Sequence, residues 1–261
     1  MSLLRLLPSV RARERFARAA LDRLPDRPRA LDVGCGEGTF HPELRSRCAL
    51  LAGSDANRAD LEVAAAQAPA EQRPWFAVAD AAAQPWPAES FDVVFCMELI
   101  EHVADAAAVL RECRRVLVPG GTLVLTCPVR EFPWTYDPLH RLAGRRIVPF
   151  GAYAFGHDNL PATREVEDLL SGAGFQPTQI TPLAGPLAAL PEAGWVGVAQ
   201  RALKPNRANQ PDDTPGAWRP PSGAPPGFAL GLVDGLLRLD ARTAARLGGG
   251  SVGIGVIATR P

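Results

Sequence analysis

Three apolar runs, each carrying an aspartate at or near its end, constrain the first half of this chain more than any other feature. They are Ala30-Leu31-Asp32-Val33, Cys48 through Ser54-Asp55, and Trp75 through Ala79-Asp80. Short continuous apolar runs of this kind read as strands buried on both faces. Between them, Pro42 to Arg47 and Asn57 to Ala68 carry helical patterns, the second with Leu61 and Ala65 on its inner face. Strand, helix and strand in repetition predict a parallel sheet with crossover helices. The three acids then line up along the C-terminal edge of the sheet, where open α/β folds hold their ligands.

The first run leads directly into a glycine turn, Gly34-Cys35-Gly36-Glu37-Gly38-Thr39-Phe40. Glycine accepts positive φ and lets the backbone press against a ligand, so the turn predicts a bound cofactor. The dinucleotide fingerprint G-x-G-x-x-G would place its third glycine at Thr39, but here the glycine stands at Gly38. That spacing argues against a nicotinamide oxidoreductase. Asp32 ahead of the turn suits a ligand with an amino group better than a phosphate, and Asp55 at the end of the second run can accept both hydroxyls of a ribose.

The pattern D-x-G-x-G-x-G from Asp32 to Gly38 resembles the first motif of the class I S-adenosylmethionine-dependent methyltransferases, and the likeness runs nearly unbroken from Ala30 to Val129. It includes Ser90-Phe91-Asp92-Val93-Val94, then Glu98-x-x-Glu101-His102-Val103, a helix from Asp105 to Leu117, and R-V-L-x-P-G-G letter for letter at Arg115 to Gly121. The strand Thr122 to Cys127 follows. These features are those of the small-molecule branch. The resemblance implies an α/β fold: a doubly wound, mostly parallel seven-stranded sheet with helices on both faces and an antiparallel final strand. It also implies S-adenosyl-L-methionine as cofactor. The amino-acid end would lie over Gly34, Gly36 and Gly38 with Asp32 close by, and the Met97 carbonyl would take its amino group. Asp55 and Ala56 would hold the ribose, and Asp80 and Ala81 the adenine. A sulfonium donor is already activated, so the protein must mainly align the nucleophile and exclude water, and no universal catalytic residue is expected.

If the acceptor is a hydroxyl or an acidic carbon, a base is needed, and histidine titrates in the right range. His140 and His157 are the candidate bases because both lie in the acceptor-side segment 131–160, with Tyr136 or Tyr153 to orient a substrate; His102 is a third candidate. His41 reads as structural. Glu98, Glu101 and His102 admit two readings. E-x-x-E-H resembles a metal-binding element of the RNA 2′-O-methyltransferases, with similar residues in quinone-type O-methyltransferases. Alternatively Glu98 lines the cofactor site while Glu101 and His102 begin the next helix, and this second reading, with no resident metal, is the one expected.

Thr163 is placed to cap a helix whose apolar stripe is Val166, Leu169, Leu170 and Ala173, ended by Gly174; Phe175 to Thr181 reads as a sixth strand. Residues 182–226 are crowded with proline, and Phe228 to Leu247 is an apolar helical stretch interrupted by charge. Ser251 to Thr259 reads as the closing antiparallel strand, which makes 182–247 an insertion or lid before the last strand. The organisation expected is thus one domain: a helical segment 1–28, a cofactor core 29–130, the acceptor-side loop 131–160 and the insertion.

Leu3, Leu7, Val10, Ala17, Leu21 and Leu24 alternate with arginines in a basic amphipathic N-terminal segment. Its arginines are expected in water with the helix packed over the cofactor site; contact with anionic lipid or nucleic acid is the other reading. The formal net charge is zero, so nothing global favours nucleic acid or membrane, and Lys204 as the only lysine among 28 basic residues reads as a composition bias rather than an arginine-specific binding surface. The five cysteines form no C-x-x-C pair and read as reduced core residues of a cytoplasmic protein. No run reaches the ~18 apolar residues of a membrane span, and no leader pattern is expected at the N-terminus. Two functions follow: methyl transfer to a small-molecule or lipid-like acceptor, or a non-catalytic S-adenosylmethionine-binding regulatory or scaffold subunit of the same fold.

Overall fold

The computed structural model describes residues 3–69, 74–131, 160–191, 226–247 and 251–261. A short 3₁₀ turn at Leu3–Leu6 and helix α1 (Pro8–Leu21) precede β1 (Arg29–Val33), α2 (His41–Arg47), β2 (Leu50–Asp55), α3 (Arg58–Gln67) and β3 (Trp75–Val78). Next come β4 (Phe91–Met97), α4 (Ala106–Val116), β5 (Leu117–Pro128), α5 (Thr163–Gly172) and β6 (Gln176–Pro182). Helices α6 (Pro186–Pro191) and α7 (Gly227–Leu247) separate β6 from the last strand, β7 (Gly253–Thr259). The sheet has the order β3-β2-β1-β4-β5-β7-β6. Six strands run parallel, and β7 is antiparallel to both of its neighbours.

Strand alternation sends side chains to two separate cores. Leu31, Val33, Val94, Cys96, Leu123 and Leu125 pack with α4 and α5 through Val109, Leu110, Cys113, Val166 and Leu170. Ala30, Val93, Phe95, Met97 and Val124 face the other way, onto Phe16, Ala17, Ala20 and Leu21 of α1 and Leu44 of α2. Helices therefore cover both faces. The four buried thiols, at Cys48, Cys96, Cys113 and Cys127, are free, as is the partly exposed Cys35.

Three local expectations need correction. Glu101 and His102 do not begin a helix: α4 starts at Ala106, capped by the Asp105 carboxylate, which accepts from the Ala108 amide at 2.8 Å. An Asx cap outcompetes the longer Glu and His side chains for a free helix-start amide. At α5, Thr163 is already the first helical residue, and Glu165 reaches back to accept from the Ala162 amide at 2.9 Å. Strand β5 begins at Leu117 rather than at Thr122 and takes in Val118–Gly121 as a bulge, where the register to β4 jumps from Phe91↔Leu117 to Val93↔Thr122.

The arginines of α1 are largely ion-paired rather than left to solvent. Arg11, together with Arg5 of the preceding 3₁₀ turn, pairs with the buried Glu14, Arg11 also binds Asp234 of α7 at 2.9 Å, and Arg13 binds Glu98 at 2.8 Å. Helix α1 thus bridges α7 and the end of β4. Arg11 holds the Asp234 carboxyl below its ordinary range.

Candidate functional site

The strand order reverses between β1 and β4, and the glycine turn leaves the sheet at that switch point. Its first amides are fixed on the neighbouring strand: Gly34 N and Cys35 N both donate to Ser54 O, at 2.8 and 3.0 Å. Gly38 N closes the turn on Cys35 O at 2.9 Å. Gly36 and Gly38 both hold positive φ, at 51° and 72°. Their surroundings differ. A Cβ on Gly38 would stand 2.8 Å from His41 Nδ1 and 3.2 Å from the Ala64 Cβ, whereas one on Gly36 would meet nothing within 4 Å. The turn is therefore packed on its inner side and open at Gly36.

Asp55, the last residue of β2, faces that opening from the side. Its Oδ2 accepts from Gly36 N at 2.8 Å and its Oδ1 from Asn57 N at 2.9 Å. Each carboxylate oxygen keeps a further lone pair for a ligand hydroxyl. Asn57 in turn caps α3, accepting from Ala59 N and Asp60 N. Asp80 lies two residues beyond β3 and accepts from Ala82 N at 2.9 Å, with Ala81 packed against the core beside it. Its loop is held by residues distant in sequence. Gln84 bonds the buried Ser54 hydroxyl at 2.8 Å and donates to Asp80 O at 3.1 Å; Arg115 donates to Gln84 O and Trp86 O. The arginine of R-V-L-x-P-G-G therefore serves the Asp80 loop from behind.

Asp32 is placed differently. It is 3% exposed, and its Oδ2 lies 3.1 Å from Nε2 of His41, itself 4% exposed at the first turn of α2. The His41 ring stacks on Phe76 with centroids 5.6 Å apart. The pair joins β1 to the helix that follows the turn, so the carboxylate supports the loop from beneath. Sequence reading left His41 structural without seeing its partner. Strand alternation carried the missing signal, since Asp32 must point opposite to Leu31 and Val33, toward α2.

At the end of β4, Met97 is buried and Glu98 adopts φ 54°, a conformation uncommon outside glycine. Glu98 accepts from Thr126 Oγ1 at 3.0 Å and pairs with Arg13. Sequence reading did not single out Arg13 or Thr126 for this role. The Glu101 side chain is wholly buried, and among the described residues no other residue donates to either of its oxygens. Burial first, then the charge of Glu98, pushes its carboxyl well above the ordinary range. Burial lowers His102, against an opposing pull from Glu98. Among the described residues no three His, Cys, Asp or Glu side chains converge as a metal site. His140, His157, Tyr136 and Tyr153 lie outside the described residues.

The raised Glu101 carboxyl has a measurable consequence. Above the ordinary glutamate range the unfolded chain ionises this group while the folded chain does not, so its contribution to stability falls as pH rises toward the folded value. Glu101→Gln removes that titration. The variant should gain stability over the native chain by up to about 1.4 kcal/mol per pH unit between the usual carboxylate range and neutrality. Paired melting curves at acid and neutral pH check this; a gap that does not widen with pH contradicts it.

A switch-point glycine turn flanked by acidic strand ends defines a doubly wound α/β protein built to bind a nucleoside-bearing cofactor. Residues 31–125 match the methyltransferase domain family. The chain is 40% identical over 136 residues to the ubiquinone biosynthesis O-methyltransferase of Pseudomonas fluorescens (strain Pf0-1), covering 49% of this chain and 56% of that protein. It is 32% identical over 162 residues to the protein of the same name from Marinobacter nauticus, covering 59% and 66%. The chain thus spans less than two thirds of the length of either relative. By fold it is similar to the [4+2]-cyclase SpnF (TM-score 0.62, 20% identity, 95% of this chain and 80% of that one). It is also similar to an S-adenosylmethionine-dependent methyltransferase from Mesorhizobium loti (TM-score 0.54, 17% identity, 95% and 98%). Residues 31–125, from β1 into β5, thus form a methyltransferase domain.

Proposed function

We propose that this protein transfers a methyl group from S-adenosylmethionine to a small-molecule or lipid-like acceptor. One observation carries the reading: the glycine turn is open only at Gly36, and Asp55 stands beside that opening with both oxygens able to accept further. A ribose bound by Asp55 places the amino-acid end of the cofactor over the Gly34–Gly38 turn, against the first amides of the following helix. Asp80 and the Ala81 amide then meet the adenine, and carbonyls at Gly34 and Met97 the amino group. Asp32 acts through His41, keeping the turn in its cofactor-binding shape.

The bound cofactor supplies an electrophilic methyl carbon on sulfur. Bound there, it would give up that carbon to an acceptor aligned opposite the sulfur and leave as a neutral thioether, while the residues of the site align the two and exclude water. A hydroxyl acceptor also loses a proton, for which His140 and His157 of the acceptor-side segment are the proposed bases. The relatives are named as ubiquinone biosynthesis O-methyltransferases, which supports an oxygen acceptor on an apolar molecule. Likeness to a cyclase shows that the fold alone does not fix the reaction.

Calorimetry with S-adenosylmethionine and with S-adenosylhomocysteine, followed by turnover assays over a panel of phenols and hydroxyquinone precursors, tests the proposal. Binding with release of S-adenosylhomocysteine in the presence of an acceptor is the expected result. Binding without turnover on any acceptor would assign the protein to the non-catalytic cofactor-binding class, and absence of binding would overturn both.

A further inference from the structure

Helix α7 presents a stripe that neither the core nor the cofactor site uses. Phe228, Leu232 and Leu239 are 75%, 71% and 54% exposed. At ~3.6 residues per turn they fall within about 40° of one another around the helix, over roughly 16 Å of its length. The opposite side of the helix is seated on the protein: Leu237 and Val233 pack with Ala12, Ala184 and Ala188.

The charges of α7 are sorted with respect to this stripe. The helix contains two acids, and the fold turns both inward. Asp240 is buried and accepts from Gly185 N and Leu187 N at 2.6 and 2.8 Å, which fixes the start of α6. Asp234 is held by Arg11 and Arg15 of α1. Arg238, close enough to Asp234 to affect its charge, and Arg242 are both exposed and flank the stripe on one side. Among the described residues, the exposed face of α7 carries three large apolar side chains, two arginines and no acid.

We propose that this face seats the protein on an anionic lipid surface, with α7 lying in the plane of the interface. An apolar stripe bordered by arginines, on a helix too charged to span, is what such a surface recognises: the side chains enter the boundary with the acyl region while the guanidinium groups meet phosphates. None of the helices in the described residues is long and apolar enough to cross a membrane, so the contact is interfacial. A second copy fits the face poorly. A two-fold contact sets the same patch against itself, and no acid of this patch is free to answer Arg238 and Arg242. The same α1 that holds Asp234 also holds Glu98 at the end of β4, so docking through α7 ties the C-terminal edge of the sheet to the lipid surface. The inference is independent of the methyl-transfer reading, since it is read without cofactor or acceptor.

Flotation of the full chain with vesicles of phosphatidylcholine alone, and of phosphatidylcholine with phosphatidylglycerol, tests it. Binding is expected only to the mixed vesicles and should weaken with added salt. Arg238→Ser and Arg242→Ser should each lower the partition about fivefold, equivalent to the roughly 1 kcal/mol a basic residue gains at an anionic surface. Phe228→Ser with Leu232→Ser should abolish binding while leaving the melting temperature unchanged, because both side chains are exposed. Failure to bind the anionic vesicles, equal binding to the neutral ones, or binding that survives the double substitution would each overturn the assignment. So would self-association that Leu232→Ser removes in the absence of any vesicle binding, which would give the face to a second copy.

Discussion

Alanine at Gly36 is expected to lower the melting temperature modestly while sharply weakening S-adenosylmethionine binding, whereas alanine at Gly38 should lower the melting temperature further and weaken binding as well. The two positions share a left-handed backbone, so each substitution carries a conformational cost of about 1–2 kcal/mol. They differ in what the new methyl group meets. At Gly38 it presses on the His41 ring and on Ala64, adding an overpacking cost of about 1–3 kcal/mol that the folded chain bears with or without ligand. At Gly36 it enters open space that the proposed cofactor fills. Loss of affinity at Gly36 should therefore exceed the 5- to 30-fold that about 1–2 kcal/mol of strain accounts for. Calorimetry and melting curves on the two variants decide the matter. Undiminished affinity in Gly36→Ala would place the cofactor elsewhere.

The second large effect is expected at Asp55. If its carboxylate accepts two ribose hydroxyls, Asp55→Ala removes two charge-assisted bonds worth about 1.5–3 kcal/mol each, and affinity for S-adenosylhomocysteine should fall by roughly two to four orders of magnitude. Part of any loss could come through the turn, because Asp55 also supports the Gly36 and Asn57 amides. A 2′-deoxyribose analogue of the ligand separates the two effects. The native chain should bind the analogue more weakly than the ribose form, and Asp55→Ala should not distinguish them. A variant that still prefers the ribose form would remove Asp55 from the ribose site.

Much of the fold is legible from local pattern. The first two apolar runs announce themselves within a few residues because β1 and β2 are buried on both faces, which needs an unbroken apolar run, whereas β3 at the sheet edge leaves Trp75 and Val78 exposed. Element ends were less legible. Whether Thr163 or Glu165 satisfies the free amide at the start of α5, and whether Glu101 or Asp105 begins α4, depends on competition among neighbouring side chains for the same donors. The candidate cofactor residues were legible as types at strand ends, but their division of labour was not. Asp55 and Asp80 look alike in sequence, as does Asp32, yet the first two lie partly open beside the turn and its neighbouring loop while Asp32 is spent on a buried histidine.

The sequence by itself determined the α/β class, because strand, helix and strand in alternation are written in spacing along a few dozen residues, and its resemblance to a known family implied the cofactor. Tertiary structure alone decided which side of the glycine turn is open, that Arg115 braces the Asp80 loop, and that α1 joins Glu98 to Asp234. It also decided that the two acids of α7 face inward and leave an acid-free apolar stripe outside. These are contacts between residues far apart in the chain, and their partners become specific only when the sheet order brings them together.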